Sequence, residues 1–518
     1  MNYDIVFVGS GLSSSATLYH ILSGLREQKI PGRLINIAVI EKNQEFWTGI
    51  PYGKRSSLQS LTINPVKDFL TEAETAGFFT WLKDLEADNY PGIANAERGI
   101  IGAWTRKNGG KLEGAARYDL YIPRFLYGLY LSQKMEKVIA SAKADNIAHV
   151  ELVCGEAVDI QQISGASRYM IDIEADGRNF EIACKILVLS TGSLGTRKIT
   201  NGLAGPHLCI NDIYEPSLTV NFKKITDQLL AIKPAKRNVL IIGSNASASE
   251  IVHLLAAADQ VDNGIFNQIF ILSTSGLPDH LHVNADHDHL LQNLKALSEA
   301  KNFTADELMT AIENDVKYAA QNQLSVGRIH YSLSDRVVKM QQKLNADEAL
   351  RFFTTYGWPF TRITRRTNED YYYTAKDLEA AQRLHYIKGR FVKPSEAQTN
   401  SDGLTFVYTT AGDKTEKEYG QVFPVIVHCG GAEQLCNTSS RLIAGLLEKG
   451  ICEINETNMG LAVDENFLAN DGLYIIGPLL AGIYNAKFKF WHLENSKRLN
   501  ILADALADTL LSKIGSAN

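Results

Sequence analysis

The stretch Asp4-Ile-Val-Phe-Val-Gly9-Ser-Gly11-Leu-Ser-Ser14-Ser-Ala16-Thr17 constrains this chain more than any other. Residues 5–8 are an unbroken apolar run, the pattern of a strand buried on both faces. Gly9 supplies a tight turn and Gly11 lets backbone approach a pyrophosphate. A helix opening at Leu12 and Ser13 turns its amide end toward those phosphates. Ser14 stands at the third glycine position of this fingerprint and is still small. Glycine-rich strand–helix turns also occur in layers that bind no nucleotide. Here, however, a second apolar strand follows, Ile35-Asn-Ile-Ala-Val-Ile-Glu41, with Lys42 after it. Glu41 holds the ribose position, at a longer spacing because loop 23–33 intervenes. A carboxylate there accepts hydrogen bonds from a free ribose diol and repels a 2′-phosphate. Strand, glycines, helix and acid together read as the adenosine site of FAD or NAD, not NADP.

The chain has 518 residues, 45% hydrophobic and 21% charged, which suits two or three globular domains. A net charge of −6 gives no general attraction to nucleic acid or an anionic membrane. There is no run of about 18 apolar residues, and no basic lead precedes the first strand. The six cysteines, Cys154, Cys184, Cys209, Cys429, Cys436 and Cys452, form no CxxC pair. A cytoplasmic protein with reduced thiols is expected, and a dithiol–disulfide reductase is not.

Further along, Phe46-Trp-Thr-Gly49-Ile-Pro51-Tyr52-Gly53 is a glycine-punctuated aromatic loop, followed by Ser60-Leu-Thr-Ile-Asn64-Pro65-Val-Lys67. Asn64-Pro65 favours extended or turning backbone. That loop is expected to run toward a flavin, or else to be a surface turn capped by its own asparagine. Residues 65–145 read as a helical insertion. Within it Arg124 stands among aromatics, a setting equally suited to an anionic substrate group and to structural stacking. Residues 148–190 read as β-structure ending at Ser190-Thr191-Gly192. In flavoproteins with two nucleotide domains the chain leaves the first near such a strand end. Gly205-Pro-His207 reads as part of a linker.

A second strand–turn–helix follows in Arg237-Asn-Val-Leu-Ile-Ile-Gly243-Ser-Asn245-Ala-Ser247-Ala248. Asn245 replaces the middle glycine and adds bulk where a pyrophosphate approaches. The next strand ends Ser273-Thr-Ser-Gly276 with no arginine for a 2′-phosphate. That points to NADH, or to no nicotinamide at all. The segment from His280 to His289 carries alternating histidine and aspartate but lacks a paired ligand spacing, so it reads as a polar loop at a cofactor cleft and not as a metal site. Residues 290–350 are helical in pattern, with a capping box at Thr304 and Glu307. Tyr356-Gly-Trp358-Pro-Phe360-Thr-Arg362-Ile-Thr-Arg365-Arg366 is either an anion site or a solvated basic face. Val425-Ile-Val-His428-Cys429-Gly430-Gly431 reads as the chain re-entering the first domain, which Leu473-Tyr-Ile-Ile-Gly477-Pro478 and a terminal helix close. The expected fold is α/β, with two Rossmann-like dinucleotide-binding domains. The FAD domain spans 1–235 and 401–518, and a NAD(P)-binding-like domain with its own helical insertion spans 236–400.

This ordered set of motifs resembles a family of bacterial FAD/NAD(P)-binding proteins. The family carries GxAYG, LLNVPA, PRxxYGxYL, ATG, SRRG, NCTG and IGPxxxG segments between and after its glycine turns. The counterparts here are Gly49-Ile-Pro-Tyr-Gly53, Leu61-Thr-Ile-Asn64-Pro65, the segment from Pro123-Arg124 to Leu131, Ser190-Thr-Gly192, Ser273-Thr-Ser-Gly276, His428-Cys-Gly-Gly431 and Gly477-Pro-Leu-Leu-Ala-Gly482. Characterised relatives include N-hydroxylating monooxygenases, some of which oxidise the aspartate amine to nitrosuccinate. The resemblance implies FAD, a nicotinamide reductant, and oxygen activation through a C4a-hydroperoxyflavin. It implies a small-molecule substrate, an amine or a carboxylate-bearing compound, and O₂; the charge balance speaks for no nucleic-acid or membrane partner, and a homo-oligomer stays open. Three departures stand out: the SRRG arginines are missing, Asn245 interrupts the second turn, and the helix expected after Gly482 lacks the family's Glu-Thr-Thr-rich sequence.

On this reading the flavin-side candidates are Asn64, Lys67 and His280, with Arg124 for a substrate carboxylate. The cofactor-binding candidates are Gly9, Gly11, Leu12, Ser13, Ser14, Glu41, Lys42, Gly49, Tyr52, Asn64, Thr191, Gly192, Gly243, Asn245, Ser247, Ser273, Gly477 and Pro478. The expected function is FAD-dependent N-hydroxylation driven by NAD(P)H. The alternatives are an FAD oxidase or dehydrogenase without productive nicotinamide binding, and a non-catalytic flavin-binding partner protein.

Overall fold

The apolar runs at 5–8 and 37–40 form the centre of a parallel sheet, and every side chain in them is at most 4% exposed. The computed structural model describes residues 2–27, 34–165, 168–199, 207–278, 280–283, 287–395, 403–410, 413, 415–491 and 495–516. In chain order the strands are β1 (Asn2–Val8), β2 (Ile35–Glu41), β3 (Ala148–Cys154), β4 (Glu156–Gln162), β5 (Tyr169–Ala175), β6 (Arg178–Leu189), β7 (Leu208–Ile210), β8 (Asn238–Ile242) and β9 (Gln268–Ser273). Then come β10 (Leu384–Lys388), β11 (Arg390–Ser395), β12 (Leu404–Thr409), β13 (Glu416–Phe423), β14 (Val425–His428), β15 (Leu468–Asn470), β16 (Leu473–Ile475), β17 (Ile483–Tyr484) and β18 (Lys489–Phe490). The chain divides into two units. The first comprises Met1–Leu58, Val66–Gly195 and Ala432–Asn518, and the second Gln59–Pro65 and Thr196–Gly431.

The first unit is built on a sheet of order β15-β16-β6-β1-β2-β3, extended by β4 and β5 through β6. β1 pairs in parallel with β2 on one side and β6 on the other. The chain thus leaves β1 first in one direction and later in the other, so the crevice beyond the end of β1 is a topological switch point. The helix Leu12–Glu27 buries Leu18, Ile21, Leu22 and Leu25 and packs along the terminal helix Ser496–Ser516. Their close approach explains Gly24, where a Cβ would collide with Leu511. The helical layer between β2 and β3 includes Val66–Phe69, Glu72–Ala87, Asn95–Asn108 and Arg124–Ala144. Edge-on aromatic pairs join Tyr52, Phe69 and Tyr127 to one another and Phe78 to Tyr130 within this unit.

The second unit has the sheet order β10-β9-β8-β14-β7, with β8 parallel to both β9 and β14. β8 therefore sits at a switch point of its own. One expectation changes here. The strand Val425–His428 does not rejoin the first sheet; it lies between β8 and β7 in the second. A fully apolar four-residue run suits any buried parallel strand, so only pairing could assign it. An antiparallel sheet β11-β12-β13 buries Phe406 and Phe423. Among the helices of 290–380, Ala305–Gln321 opens with the expected capping box, Thr304 accepting from the Glu307 amide. Asp315, fully buried, accepts from the amides of Asn293 and Leu294.

A second expectation changes after Gly482. The segment read as a helix is the hairpin β17–β18, and the terminal helix starts only at Ser496. Asn485 turns the chain: its side chain accepts from the amides of Lys487 (3.0 Å) and Phe488 (2.7 Å), an Asx turn that competes with helix. Among the described residues, no helix is long and apolar enough to cross a membrane.

Candidate dinucleotide sites

In the first unit the glycine turn follows β1 directly. Gly9 has φ +97°, and a Cβ on it would stand 2.5 Å from the Ser190 carbonyl oxygen. No side chain fits between these strand ends. Ser14, at the third fingerprint position, does more than stay small. Its hydroxyl bonds the Gly9 carbonyl and lies 2.5 Å from Ser190 Oγ, which in turn donates to Val8 O at 3.0 Å. The hydroxyl pair ties helix, turn and β6 together at the point where glycine normally permits close packing. Leu12 and Ser13 are buried in the first turn of the helix.

Glu41 ends β2 beside this turn. Its Oε2 accepts from the Ser10 amide (3.0 Å) and hydroxyl (2.9 Å), and its Oε1 from the Asn43 amide and side-chain nitrogen, both at 3.0 Å. A carboxylate offers about four acceptor positions. Two backbone amides and two side-chain donors, from Ser10 and Asn43, thus hold the carboxylate at the end of β2. Lys42 is exposed next to it.

Three further segments converge on the same strand ends. Gly49 has φ +59°, and its missing Cβ would meet Gly11 Cα at 3.3 Å. The Ser15 hydroxyl donates to Trp47 O at 2.9 Å, fixing that loop to the helix start. Tyr52 is buried behind it, its phenol pushed up to about 12 by desolvation and drawn back by the Arg124 charge. Thr191 and Gly192 follow β6, Gly192 with φ +81°. Gly477, φ +95°, precedes the turn Pro478–Leu480, and a Cβ there would stand 2.8 Å from Ser13 Oγ. The motifs at 9–14, 41–42, 49–52, 191–192 and 477–478 thus form one cluster. Helix amides, a carboxylate and glycine-only backbone make a donor set that fits the adenosine diphosphate half of FAD.

The second unit repeats the arrangement. Gly243 has φ +99°, and a Cβ would run into the Cys429 carbonyl at the end of β14. Asn245 caps the helix Ala246–Val261 with φ −81° and ψ −174°. This is ordinary extended backbone, so the missing middle glycine costs no strain. Ser247 lies in the first turn, and Ser273 ends β9, its hydroxyl accepting from the Gly276 amide at 2.8 Å. The strand end does have a guanidinium, which the reading of 273–276 missed. Arg365 Nη1 donates to Ser244 O at 2.9 Å, and Nη2 to Ser275 Oγ at 3.1 Å and Gly276 O at 3.0 Å. Burial, and then the Arg362 charge, hold its pKa below the usual arginine value. The only signal in the sequence was the basic, aromatic composition of 356–366.

The flavin-side candidates are divided between the units. Asn64 belongs to the second, in the segment Gln59–Pro65, which is tied down by Leu61 N to Tyr371 Oη (3.1 Å) and Asn368 Nδ2 to Thr62 O (3.1 Å). Lys67 belongs to the first and pairs with Asp119 at 2.9 Å. Arg124 opens the helix Arg124–Ala144 and is 8% exposed. His280 is half-buried in the second unit, its carbonyl accepting from Thr367 N at 2.9 Å. Of the histidine–aspartate stretch, residues 284–286 lie outside the described residues, as do 201–206 of the linker and 492–494 before the terminal helix. Asp288 is engaged by Arg336 at 2.6 Å, which holds its carboxyl below the usual range.

Residues 6–194 match the family model described as FAD-NAD(P)-binding. An uncharacterized protein of Mycobacterium tuberculosis is 30% identical over 516 residues, covering 99% of this chain and 96% of that protein, and one of Mycobacterium bovis matches equally. Among solved structures, the ornithine N-hydroxylase of Kutzneria sp. 744, with reduced FAD, NADP+ and L-ornithine, aligns at TM-score 0.55 and 15% identity over 99% of this chain and 100% of that one. The FAD-bound cadaverine monooxygenase of desferrioxamine biosynthesis from Erwinia amylovora aligns at TM-score 0.56 and 12% identity over 98% and 94%. At these identities the structural likeness is one of fold: two dinucleotide-binding domains. With a matching family model and relatives along its whole length, the chain belongs to the FAD-NAD(P)-binding family.

Proposed function

We propose that the protein is an FAD-dependent oxidoreductase, and specifically a NAD(P)H-driven monooxygenase that hydroxylates the nitrogen of an amine or amino-acid-like small molecule. One observation carries the oxidoreductase part of this reading: in each of two sheets the parallel strands at the switch point end in a glycine turn that no Cβ could enter. One such turn fits a dinucleotide, and two in one chain support a flavin and a nicotinamide nucleotide as the pair. The neighbours of this fold named for ornithine and cadaverine support the amine class.

When bound, FAD would supply hydride acceptance and oxygen activation. The residues of the chain supply the rest. Glu41 would take the ribose hydroxyls, and the amide end of the helix Leu12–Glu27 the pyrophosphate. The second unit would hold the nicotinamide dinucleotide through Gly243, Ser247 and the amides around Asn245. We assign Lys67, Asn64 and His280 to positioning on the flavin side, and Arg124 to a substrate carboxylate. We further propose that the enzyme works in the cytoplasm on a diffusible substrate with O₂.

The test is anaerobic mixing of the purified flavoprotein with NADH or NADPH, followed at the flavin band near about 450 nm. Fast bleaching, followed by amine-dependent oxygen uptake and hydroxylamine formation, is the expected result. Flavin-free protein that takes up no FAD would overturn the whole reading. A second reading, an FAD oxidase or dehydrogenase without productive nicotinamide binding, rests on Asn245 in place of the middle glycine. It requires that neither nucleotide bleach a flavin which a substrate does reduce. Arg124→Ala should raise KM for the substrate with flavin reduction intact; unchanged turnover would remove Arg124 from the substrate site.

A further inference from the structure

Arg365 holds an unusual position. It follows the helix Gly357–Thr364, and its guanidinium reaches both the glycine turn after β8, at Ser244, and the strand end after β9, at Ser275 and Gly276. In a nucleotide-binding α/β sheet the first of these points faces the pyrophosphate and the second the adenosine ribose. The backbone bearing it is pinned: Thr367 N bonds His280 O, residues 281 and 367 form a β-bridge, and Asn368 caps the helix Glu369–Ala380. Arg365 Nε is buried and has no hydrogen-bond partner among the described residues. Among them no carboxylate pairs with Arg365 or with Arg362, whose charge acts on it. Two guanidinium groups close together without a counter-charge repel each other and are stabilised by an anion. The strand end contributes no acid of its own, reading Ser273-Thr274-Ser275-Gly276 where a NAD site would have a carboxylate on the ribose.

We propose that Arg365, with Arg362 beside it, is the receptor for the 2′-phosphate of the adenine dinucleotide in the second unit, so that this unit takes NADPH in preference to NADH. The proposal rests on the reading of that unit as a nicotinamide-nucleotide site, and it reverses the preference inferred from the strand end alone. Arginine suits the role because its planar fork can keep the Ser244 and Gly276 carbonyls on the Nη1/Nη2 edge while a phosphate oxygen replaces the Ser275 hydroxyl on Nη2 and engages the unpartnered Nε–H beside it.

The test titrates the FAD-loaded protein calorimetrically with adenosine 2′,5′-bisphosphate and with 5′-AMP, which differ only in the 2′-phosphate. The bisphosphate is expected to bind at least about tenfold more tightly, with an advantage that shrinks as salt rises. Arg365→Gln should bring the two affinities to within about threefold by weakening the bisphosphate alone, and the more exposed Arg362→Gln should do so in part. Arg365→Lys, which keeps the charge but not the fork, guards against a folding defect and should retain an intermediate preference. Equal affinities in the unmodified protein, or a preference that survives Arg365→Gln, would overturn the proposal and leave Arg365 as a structural tie between the two loops. Failure of the unmodified protein to bind either probe would instead overturn the nicotinamide-site reading beneath it.

Discussion

A methyl group at Gly9 has nowhere to go: the backbone is left-handed there, and the Ser190 carbonyl occupies the Cβ position. Gly9→Ala should therefore destabilise the protein by at least about 2 kcal/mol and release FAD on gel filtration, because strain and steric overlap add. Denaturant unfolding and the flavin-to-protein absorbance ratio check both effects. His428, which ends β14 and is 2% exposed, carries a pH signature. Burial pushes its imidazole down to about 4, against a backbone contact with Asn211 that favours the charged form. An unfolded histidine titrates near about 6.5, so between those values the unfolded chain binds a proton that the folded chain does not. This contribution to stability is complete above pH ~6.5 and falls as pH drops toward ~4, by about 3 kcal/mol in all. His428→Asn should flatten that part of the profile, read as the difference between variant and parent in urea midpoint at pH 7.5 and pH 4.5. The residues of the first glycine motif were legible in the sequence because turn geometry is local. The roles of Ser10 and Asn43 in holding Glu41, and of Ser14 in tying the turn to Ser190, depended on contacts between segments.

At the scale of elements, local signals worked where the stabilising interactions lie within a few residues. The capping box at Thr304 and Glu307 is such a case. Thr304→Ala should cost about 1 kcal/mol, measurable as a lower urea midpoint, with little change in nucleotide binding. The hairpin β17–β18 shows the opposite. Its sequence, Ile483-Tyr-Asn-Ala-Lys-Phe-Lys-Phe490, was read as helix, yet the Asn485 side chain captures two amides and turns the chain back. Such Asx turns are two- to three-residue events that a helical expectation drawn from family position overlooks. The assignment of Val425–His428 failed for a different reason. A buried parallel strand is apolar on both faces and so carries no mark of which sheet it will join.

Across the whole molecule, thiol chemistry offers a simple check on the two buried cores. Cys154 and Cys436 are exposed, Cys209 is half-buried, and Cys184, Cys429 and Cys452 are buried. Desolvation pushes Cys429 and Cys452 up to about 12 and Cys209 to about 11, far from thiolate at neutral pH. A thiol reagent at pH 7.5 should therefore modify Cys154 and Cys436 promptly, Cys209 slowly, and all six only after denaturation; prompt reaction at Cys184 or Cys452 would contradict the packing of the first unit. The sequence by itself determined that two strand–glycine–helix turns exist, that the strand after the first ends in an acid, and that the chain is α/β. Each of these is written in residues close together along the chain, where backbone sterics and side-chain period act directly. Only the tertiary structure decided which strands complete each sheet, how the hydroxyls of Ser14 and Ser190 replace a glycine, and that a guanidinium stands at the end of β9. Arg365 lies 121 residues along the chain from the Ser244 it bonds. A contact across that separation depends on which segments the hydrophobic cores bring together, and no short-range pattern records it.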